Sequence, residues 1–364
     1  MSCLHACHLR VFRRVLVSHR RQQTNHVRCC ASSTAAGGAS VEEWAGLHAW
    51  RRGVNEAHSW STDGVGSPCI STTVSPPPVE LPSTLAECGR LVLCSAEPEA
   101  KMRITHAAFA RWCAGSLTLG SSCAPASPAR PERPLLVPQH KTPTVSASPL
   151  PLNAHVLHTL AHIEFNAVNL AWDTIARFAD EGMPAQFFSD FARVADDEAR
   201  HLGWCLQRLH ELGHSYGDLP SHNALWEGAA ASADDIVARL VVVPCIQEAR
   251  GLDAGPKLVE RLVGNGDARS AAIVKRIAQE EQAHVAVGVR WLNAVASAQS
   301  CDPGEAFRAV LASHYPDGLK GPFNHHVRQK VGLPRHWYTP HTAGSTVDSL
   351  RQRMEDIVAA EAQR

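Results

Sequence analysis

Long apolar runs and an excess of either charge are both missing from this 364-residue chain. No stretch of eighteen apolar residues occurs, and the most apolar segment, 237–246, contains Pro244, so no membrane-spanning helix is predicted. The formal net charge at pH 7 is zero, which argues against general attraction to nucleic acid. These absences predict a soluble protein without a membrane span.

Cysteine pairs at metal-binding or redox spacing are missing as well. Nine of the 12 cysteines precede residue 130, and none forms a Cys-x-x-Cys pair, so neither a zinc ribbon nor a dithiol redox motif is predicted. Cys205 and Cys245 lie in predicted helices, where a free thiol is usually a small buried core residue.

Acidic residues are absent from the first 41 positions, which contain several arginines and small residues. This composition is typical of an organelle transit peptide, and the stretch 27–31 resembles a plastid cleavage region, which favours the chloroplast over the mitochondrion. Two alternatives for these residues are a disordered basic tail and a wrongly assigned translation start. A cytoplasmic location is therefore the alternative to an organelle. The remaining chain is predicted to comprise a disordered linker at 42–80, a folded domain at 81–340 with its core at 153–298, and a C-terminal tail at 341–364, for which a helix is one alternative.

Apolar residues recur at helical spacing in four long segments and predict an all-α four-helix bundle. No strand pattern competes with them. Two shorter helices are predicted before the bundle, and another after it. The bundle helices are expected to run over 153–180 and 184–212, from Ser232 onward, and over 267–298.

Three local signals predict where a bundle helix begins or is interrupted. Pro184 lies where the first residue of a helix is expected, and Ser232 with Asp235 three residues later has the form of an N-terminal cap. Pro244 lies inside the third bundle helix and is predicted to kink it, because proline has no amide hydrogen for the helical ladder.

Two bundle helices carry Glu-x-x-His, and the other two carry a single Glu. Three residues correspond to about 300° of helix, so the Glu and His of each motif share a face. Each single Glu precedes the next motif by a similar distance, 34 and 33 residues. This is the ligand pattern of a di-iron carboxylate bundle. The candidate metal ligands are Glu164, Glu198, His201, Glu248, Glu281 and His284.

Two cations held close together need anionic bridges, and four carboxylates with two imidazoles leave coordination positions where dioxygen can bind. The predicted cofactor is a pair of iron ions, with manganese as an alternative. The competing interpretation is that these side chains are ordinary charges on helix surfaces. The direction in which these side chains point distinguishes the two interpretations. If they point into the bundle, a metal is expected, because buried carboxylates without a metal would severely destabilise the protein.

The residues around the first motif extend the pattern. Asp197-Glu198-x-Arg200-His201 looks like the signature of ferritin-like di-iron oxidases and hydroxylases. The second copy has Glu280 in the place of Asp197 and lacks the arginine. An acidic residue beside a ligand can accept a hydrogen bond from a ligating imidazole on a neighbouring helix, so Asp197, Arg200 and Glu280 are expected around the ligands.

Over about 81–336 the chain resembles the ferritin-like domain-of-unknown-function family 455, which is similar in turn to the tRNA 2-methylthio-isopentenyladenosine hydroxylase. The resemblance implies a ferritin-like fold and the metal ligands named above, but the family has no settled activity to supply a substrate. The stretches that carry it are 162–164, 197–201, 212–220, 225–226, 248–253 and 321–325.

A second metal motif competes with this site. His210-Glu211-x-x-His214 has the form of a zinc-protease helix. Pro220 occupies the position of the third ligand, and Gly213 is a predicted helix end, so the two histidines need not project from one continuous helix. A zinc metalloprotease is therefore the less favoured alternative.

The predicted function is an O2-dependent di-iron oxidase or hydroxylase of unknown substrate, which needs a reductase or ferredoxin as electron donor. None of the three tyrosines lies in a predicted bundle helix, which argues against a tyrosyl radical beside the metals. The basic and aromatic segment 320–338 keeps tRNA open as a partner. Metal binding, iron storage or peroxide detoxification without an organic substrate, and a metal-free interaction module, remain alternatives; the oligomeric state is open.

Overall fold

The computed structural model describes residues 43–70 and 79–339, and this part of the chain is all-α with one minimal strand pair. The all-α bundle predicted from the sequence is confirmed. The first elements in chain order are α1 (Ala45–Arg52), the antiparallel strands β1 (Ser59–Trp60) and β2 (Pro68–Cys69), α2 (Leu85–Cys94), α3 (Pro98–Cys113) and two short 3-10 helices (Gln139–Lys141 and Val145–Ala147). They are followed by α4 (Leu152–Arg177), α5 (Ala185–Glu211), α6 (Ala224–Ala230), α7 (Ile236–Leu240), a π-helical segment (Val241–Glu248), α8 (Ala249–Gly264), α9 (Ala268–Ala298), α10 (Pro303–His314), α11 (His325–Lys330) and α12 (Arg335–Tyr338).

Four long helical stretches form the bundle: α4, α5, α9, and a third bundle helix in which the π-helical segment joins α7 to α8. Helix α4 packs mainly on α5, and α9 packs mainly on the third bundle helix. Large side chains such as Trp172, Phe187 and Trp291 fill the interior. Burying each contributes about 1.5–3 kcal/mol, which holds the inward helix faces together. Among the described residues, no helix has the length and apolarity needed to cross a bilayer.

The observed helix starts differ in detail from the predicted ones. The third bundle helix is capped by Asp235, whose carboxylate accepts hydrogen bonds from the amides of Val237 and Ala238. The predicted capping role of Ser232 is wrong, because that residue is buried and its hydroxyl donates to the Ala229 carbonyl. Pro184 is the residue before α5 and not its first helical residue.

Pro244 widens the third bundle helix into a π-helical turn over Val241–Glu248. Proline cannot donate the usual helical hydrogen bond, and widened turns of this kind occur often at functional sites. Gly288 of α9 makes the widening compatible with close packing, since a Cβ there would lie 2.4 Å from the Pro244 ring. The segment ends at Glu248, one of the candidate ligands.

Residues 43–70 differ from the linker that the composition predicts. They contain α1 and the β1–β2 strand pair, and they pack against the bundle through the buried residues Leu47 and Trp60. The linker prediction is therefore wrong for this stretch. The predicted transit peptide and the whole of the predicted tail lie outside the described residues, so the organelle assignment stays a prediction.

The basic segment 320–338 packs on α8. Arg328 is fully buried and donates two hydrogen bonds to Asp253, at 2.9 and 2.6 Å. Its guanidinium also lies over the rings of Phe323 and Tyr338. Arg328 therefore makes structural contacts inside the protein, and its positive charge is not available on the surface of this segment to bind a polyanion.

Candidate metal centre

The bundle brings the six candidate ligands together in its interior. Glu198 and His201 of α5 and His284 of α9 are essentially inaccessible to solvent, and Glu164 of α4 and Glu281 of α9 are at most 5% exposed. Glu248, at the end of the π-helical segment, is half-buried. Ligand atoms of four of these residues lie within 4.8 Å of one another, namely Glu164, Glu198, His201 and Glu281.

His201 faces three carboxylates from its own and two other helices. Its Nδ1 atom lies 3.3 Å from Glu198 Oε2, 3.5 Å from Glu281 Oε1 and 3.9 Å from Glu164 Oε2. One nitrogen and three oxygens therefore surround a common point.

His284 faces the other oxygens of two of the same carboxylates. Its Nδ1 atom lies 2.8 Å from Glu198 Oε1 and 3.3 Å from Glu281 Oε2. Glu248 adds a third carboxylate here, because it hydrogen-bonds to Glu281 and interacts electrostatically with His284. Glu198 and Glu281 thus each turn one oxygen to His201 and the other to His284, so they lie between two ligand groups.

A second layer of side chains fixes both imidazoles in a crossed arrangement. The Nε2–H of His284, on α9, donates to Asp197 Oδ2 of α5 at 3.2 Å, and the Nε2–H of His201, on α5, donates to Glu280 Oε2 of α9 at 2.9 Å. Arg200 donates to both acids, at 2.5 and 2.8 Å. Because a carboxylate can only accept, the proton is held on Nε2 and Nδ1 is turned to the cluster.

The cluster shifts the protonation of its own members. Burial, reinforced by the neighbouring carboxylates Glu198 and Glu281, raises the pKa of Glu164 and of Glu248 well above the ordinary value. Burial opposes the charged form of both imidazoles, but the surrounding carboxylates outweigh it and raise the pKa of His201 and His284.

The pKa values of two other carboxylates are lowered. Burial would raise the pKa of Glu198, but His284 and His201 hold it well below its usual range. In the second layer, the hydrogen bond from His201 lowers the pKa of Glu280 to about 2, against the effect of burial. Without a metal, the cluster therefore keeps protons on some carboxylates and extra charge on its imidazoles, as expected for groups built to bind a cation.

One buried oxygen tests whether these residues fit a metal. Glu198 Oε1 makes no well-aligned hydrogen bond in the described part of the chain, and His284 Nδ1 lies only 2.8 Å away. Because the pKa of His284 is raised, a proton lies between these two atoms in the metal-free protein. One divalent cation could replace that proton and satisfy both atoms, and mixed carboxylate and imidazole donors suit divalent first-row metals. The residues therefore fit a metal.

A cavity of about 780 Å³ leads to the cluster, whose residues Glu164, Glu248 and Glu281 form part of its wall. Small residues of α8 make room for it beside α9: a Cβ on Gly251 would lie 3.1 Å from Glu281 Cγ. Sequence reasoning missed this cavity. Its walls mix aliphatic, imidazole and basic side chains, including Ile163, Leu225, Leu258, His155, His222, Arg250 and Lys320.

The competing zinc motif is not assembled on one helix. Helix α5 ends at Glu211, and Gly213 has a φ of 77°, which turns the chain before His214. Glu211 is paired with Arg269 at 2.7 Å. The motif therefore consists of polar residues at a helix end, as the predicted C-terminal cap implies.

Two residues of the segment 43–60 also reach the second layer. Trp50 Nε1–H donates to Asp197 Oδ2 at 2.6 Å, and Asn55 donates to Asp197 Oδ1 at 2.5 Å. Sequence reasoning missed both, because the surrounding composition resembles a linker. The tryptophans at 44, 50 and 60 were the available signal, since disordered segments contain few aromatic residues.

The fold and the site together define an all-α bundle protein with a buried carboxylate–histidine cluster that can bind metal. Over residues 94–339 the chain matches the family described as "Protein of unknown function (DUF455)", and it belongs to that family. An uncharacterized protein of Haemophilus influenzae is 37% identical over 211 residues, which cover 57% of this chain and 73% of the relative. No solved structure matched the chain. The relationship to ferritin-like proteins and to the tRNA hydroxylase stays a prediction.

Proposed function

We propose that this protein is a ferritin-like, non-haem di-iron carboxylate enzyme, an O2-dependent oxidase or hydroxylase of unknown substrate. The main support is the position of two carboxylates: Glu198 and Glu281 each present one oxygen to His201 and the other to His284. Two carboxylates placed in this way can bridge two cations, with one imidazole for each.

The charges of the four candidate carboxylates match those of two divalent ions. Four carboxylates carry four negative charges when ionised, and two divalent cations balance them while both imidazoles are neutral ligands. Glu164 would serve the ion beside His201, and Glu248 the ion beside His284. Manganese remains an alternative to iron, because the same donors accept it.

The chemistry that a pair of ferrous ions supplies is the reduction of dioxygen. The chain's own residues orient the ligands and control access. Asp197 and Glu280 keep the Nε2 protons of the two imidazoles, so the Nδ1 lone pairs remain available to metal. Arg200 balances the charge of both acids. The buried faces of α4, α5 and α9 exclude water on the other sides.

The cavity favours an enzyme over iron storage. Its volume, about 780 Å³, lies in the range of small-molecule sites, and it brings a ligand directly to Glu164, Glu248 and Glu281. Substrate oxidation by dioxygen would draw electrons from a partner, a reductase or a ferredoxin. A tRNA substrate stays a hypothesis, for which the segment 320–338 offers the exposed Lys320 and Lys330.

Metal loading followed by exposure to oxygen tests the proposal. The full chain is loaded anaerobically with ferrous iron, the bound metal is counted, and the complex is mixed with oxygenated buffer in a stopped-flow absorbance instrument. Two ions per chain and a transient visible band are expected. Iron uptake without a transient band would favour storage or detoxification, and no uptake would leave a metal-free interaction module.

A further inference from the structure

We propose that Trp50 and Asn55 are positioning residues of the metal centre, which makes the N-terminal segment 43–60 part of that centre. The inference rests on the proposed function and extends it to residues that precede the family match at 94–339. The contact is indirect. Both side chains act on Asp197, which in turn orients His284.

Asp197 is almost completely buried, at 1% exposure. An ionised carboxylate has about four acceptor sites, and burial makes each unsatisfied site costly. Four side chains fill them. Two donors belong to the bundle and two to the N-terminal segment, and they are His284, Arg200, Trp50 and Asn55.

The indole of Trp50 and the imidazole of His284 share one oxygen. Trp50 Nε1–H donates to Asp197 Oδ2 at 2.6 Å, and His284 Nε2–H donates to the same atom at 3.2 Å. The two rings lie edge to face, with their centroids 6.3 Å apart. Removing the indole therefore removes one of the two donors to Asp197 Oδ2 and one contact that limits tilting of the imidazole.

Asn55 fixes the other half of the carboxylate. Its amide nitrogen donates to Asp197 Oδ1 at 2.5 Å and to Asp196 Oδ2 at 2.8 Å. Its amide oxygen accepts from Arg193 at 3.0 Å, which leaves the nitrogen turned to the two acids. Asn55 thus joins the segment to two consecutive residues of α5.

The segment is held rigidly enough to position these donors. Arg51 makes two hydrogen bonds to the buried Asp190, at 2.8 and 2.7 Å. Arg193 donates to the Gly53 carbonyl at 2.8 Å, and its guanidinium lies 5.0 Å from the centre of the Trp50 ring. The C-terminal end of helix α1 is therefore fixed to α5 next to Trp50.

The arrangement is asymmetric, which makes the proposal specific. Glu280, the partner of His201, accepts from Arg200 and from the half-exposed Arg276, and within the described residues it forms no hydrogen bond or ion pair with the segment 43–60. No residue of this segment lines the cavity. The segment is therefore expected to influence the ion beside His284 more than the ion beside His201, without touching a substrate.

Cobalt(II) titration of the full chain tests the assignment, with Trp50→Phe compared against Trp44→Phe. Trp44 adjoins α1 and makes no hydrogen bond to Asp197, so its variant removes an indole without disturbing the carboxylate. We expect Trp50→Phe to bind one of two Co2+ ions about tenfold more weakly and to change the visible cobalt spectrum. Trp44→Phe should match the unmodified chain. Asn55→Ala should repeat the Trp50→Phe result, and unchanged binding and spectra in both variants would overturn the inference while leaving the proposed function intact.

A nuclear magnetic resonance measurement keeps the inference testable when a variant folds poorly or no cobalt binds. In 15N-labelled protein the Trp50 indole N–H, bonded to a carboxylate, should resonate downfield, and it should move on addition of diamagnetic Zn2+. In metal-free protein it should move in the variant His284→Gln. Absence of metal binding by the unmodified chain would refute the proposed function alone. An indole signal that is insensitive to His284→Gln would refute the positioning role.

Discussion

Metal binding is expected to release up to about four protons per chain at a pH below the raised pKa values of four cluster groups. In the metal-free protein the pKa values of Glu164, Glu248, His201 and His284 are all raised, so each group keeps its proton to a higher pH than usual, and a metal must displace each proton that is still bound. A raised pKa means that the proton is bound below that value and lost above it. Protons therefore compete with the metal at low pH, and metal affinity should increase as the pH rises.

The size of the effect follows from the geometry. Four protons shared by two ions amount to two for each ion, so each affinity should rise about a hundredfold per pH unit, or about 2.7 kcal/mol. This dependence should extend over the range where all four groups remain protonated in the metal-free chain. It should flatten once the pH exceeds their raised pKa values.

Titration calorimetry in several buffers measures this number directly. At one pH, the observed heat of metal binding varies with the ionisation enthalpy of the buffer, and the slope gives the protons released. His210→Ala is the matched control, because its imidazole lies outside the cluster and should leave the slope unchanged. Two bound ions with a slope near zero would refute the reasoning, since the lone pairs would then be free before the metal arrives.

Three further predictions follow from single side chains. Glu198→Ala or His284→Ala should abolish stoichiometric binding of ferrous iron, measured by metal analysis, while His210→Ala leaves it intact; loss only in the His210 variant would move the site. Gly255→Ala should lower stability by about 1–3 kcal/mol in thermal denaturation, because its Cβ would lie 2.6 Å from Ala278 Cβ on α9. An unchanged melting temperature would contradict that close packing. Asp173→Ala should lower the free energy of unfolding, measured by urea denaturation, by about 3–5 kcal/mol. The substitution removes the carboxylate that lies 2.8 Å from the buried Arg239 and leaves that charge without its ion-pair partner. Retained stability would show that Arg239 finds another partner.

The inner part of the site could be predicted because its information is local. Helical periodicity places the Glu and His of each motif on one face, and the repeated spacing pairs the helices that carry them. The crossed pairs of Asp197 with His284 and Glu280 with His201 follow the expected use of acids beside ligands. Whether these side chains bind metal remains a prediction.

Features that depend on distant contacts could not be predicted. Pro244 signals a disturbed helix, but its widening depends on the space that Gly288 leaves on α9. Ser232 and Asp235 are both good capping residues, and the hydroxyl of Ser232 is instead bound to the Ala229 carbonyl. The order in residues 43–70 comes from long-range hydrogen bonds such as Trp50 to Asp197, which composition does not reveal.

The crossed hydrogen bonds between α5 and α9 have a consequence for metal loading. Each helix contributes the imidazole for one ion and the acid that steadies the imidazole for the other. If α9 slid along α5 by one turn, about 5.4 Å, both imidazoles would lose their acceptors together. A disturbance of this axial register should therefore weaken the binding of both ions together, and not of one alone.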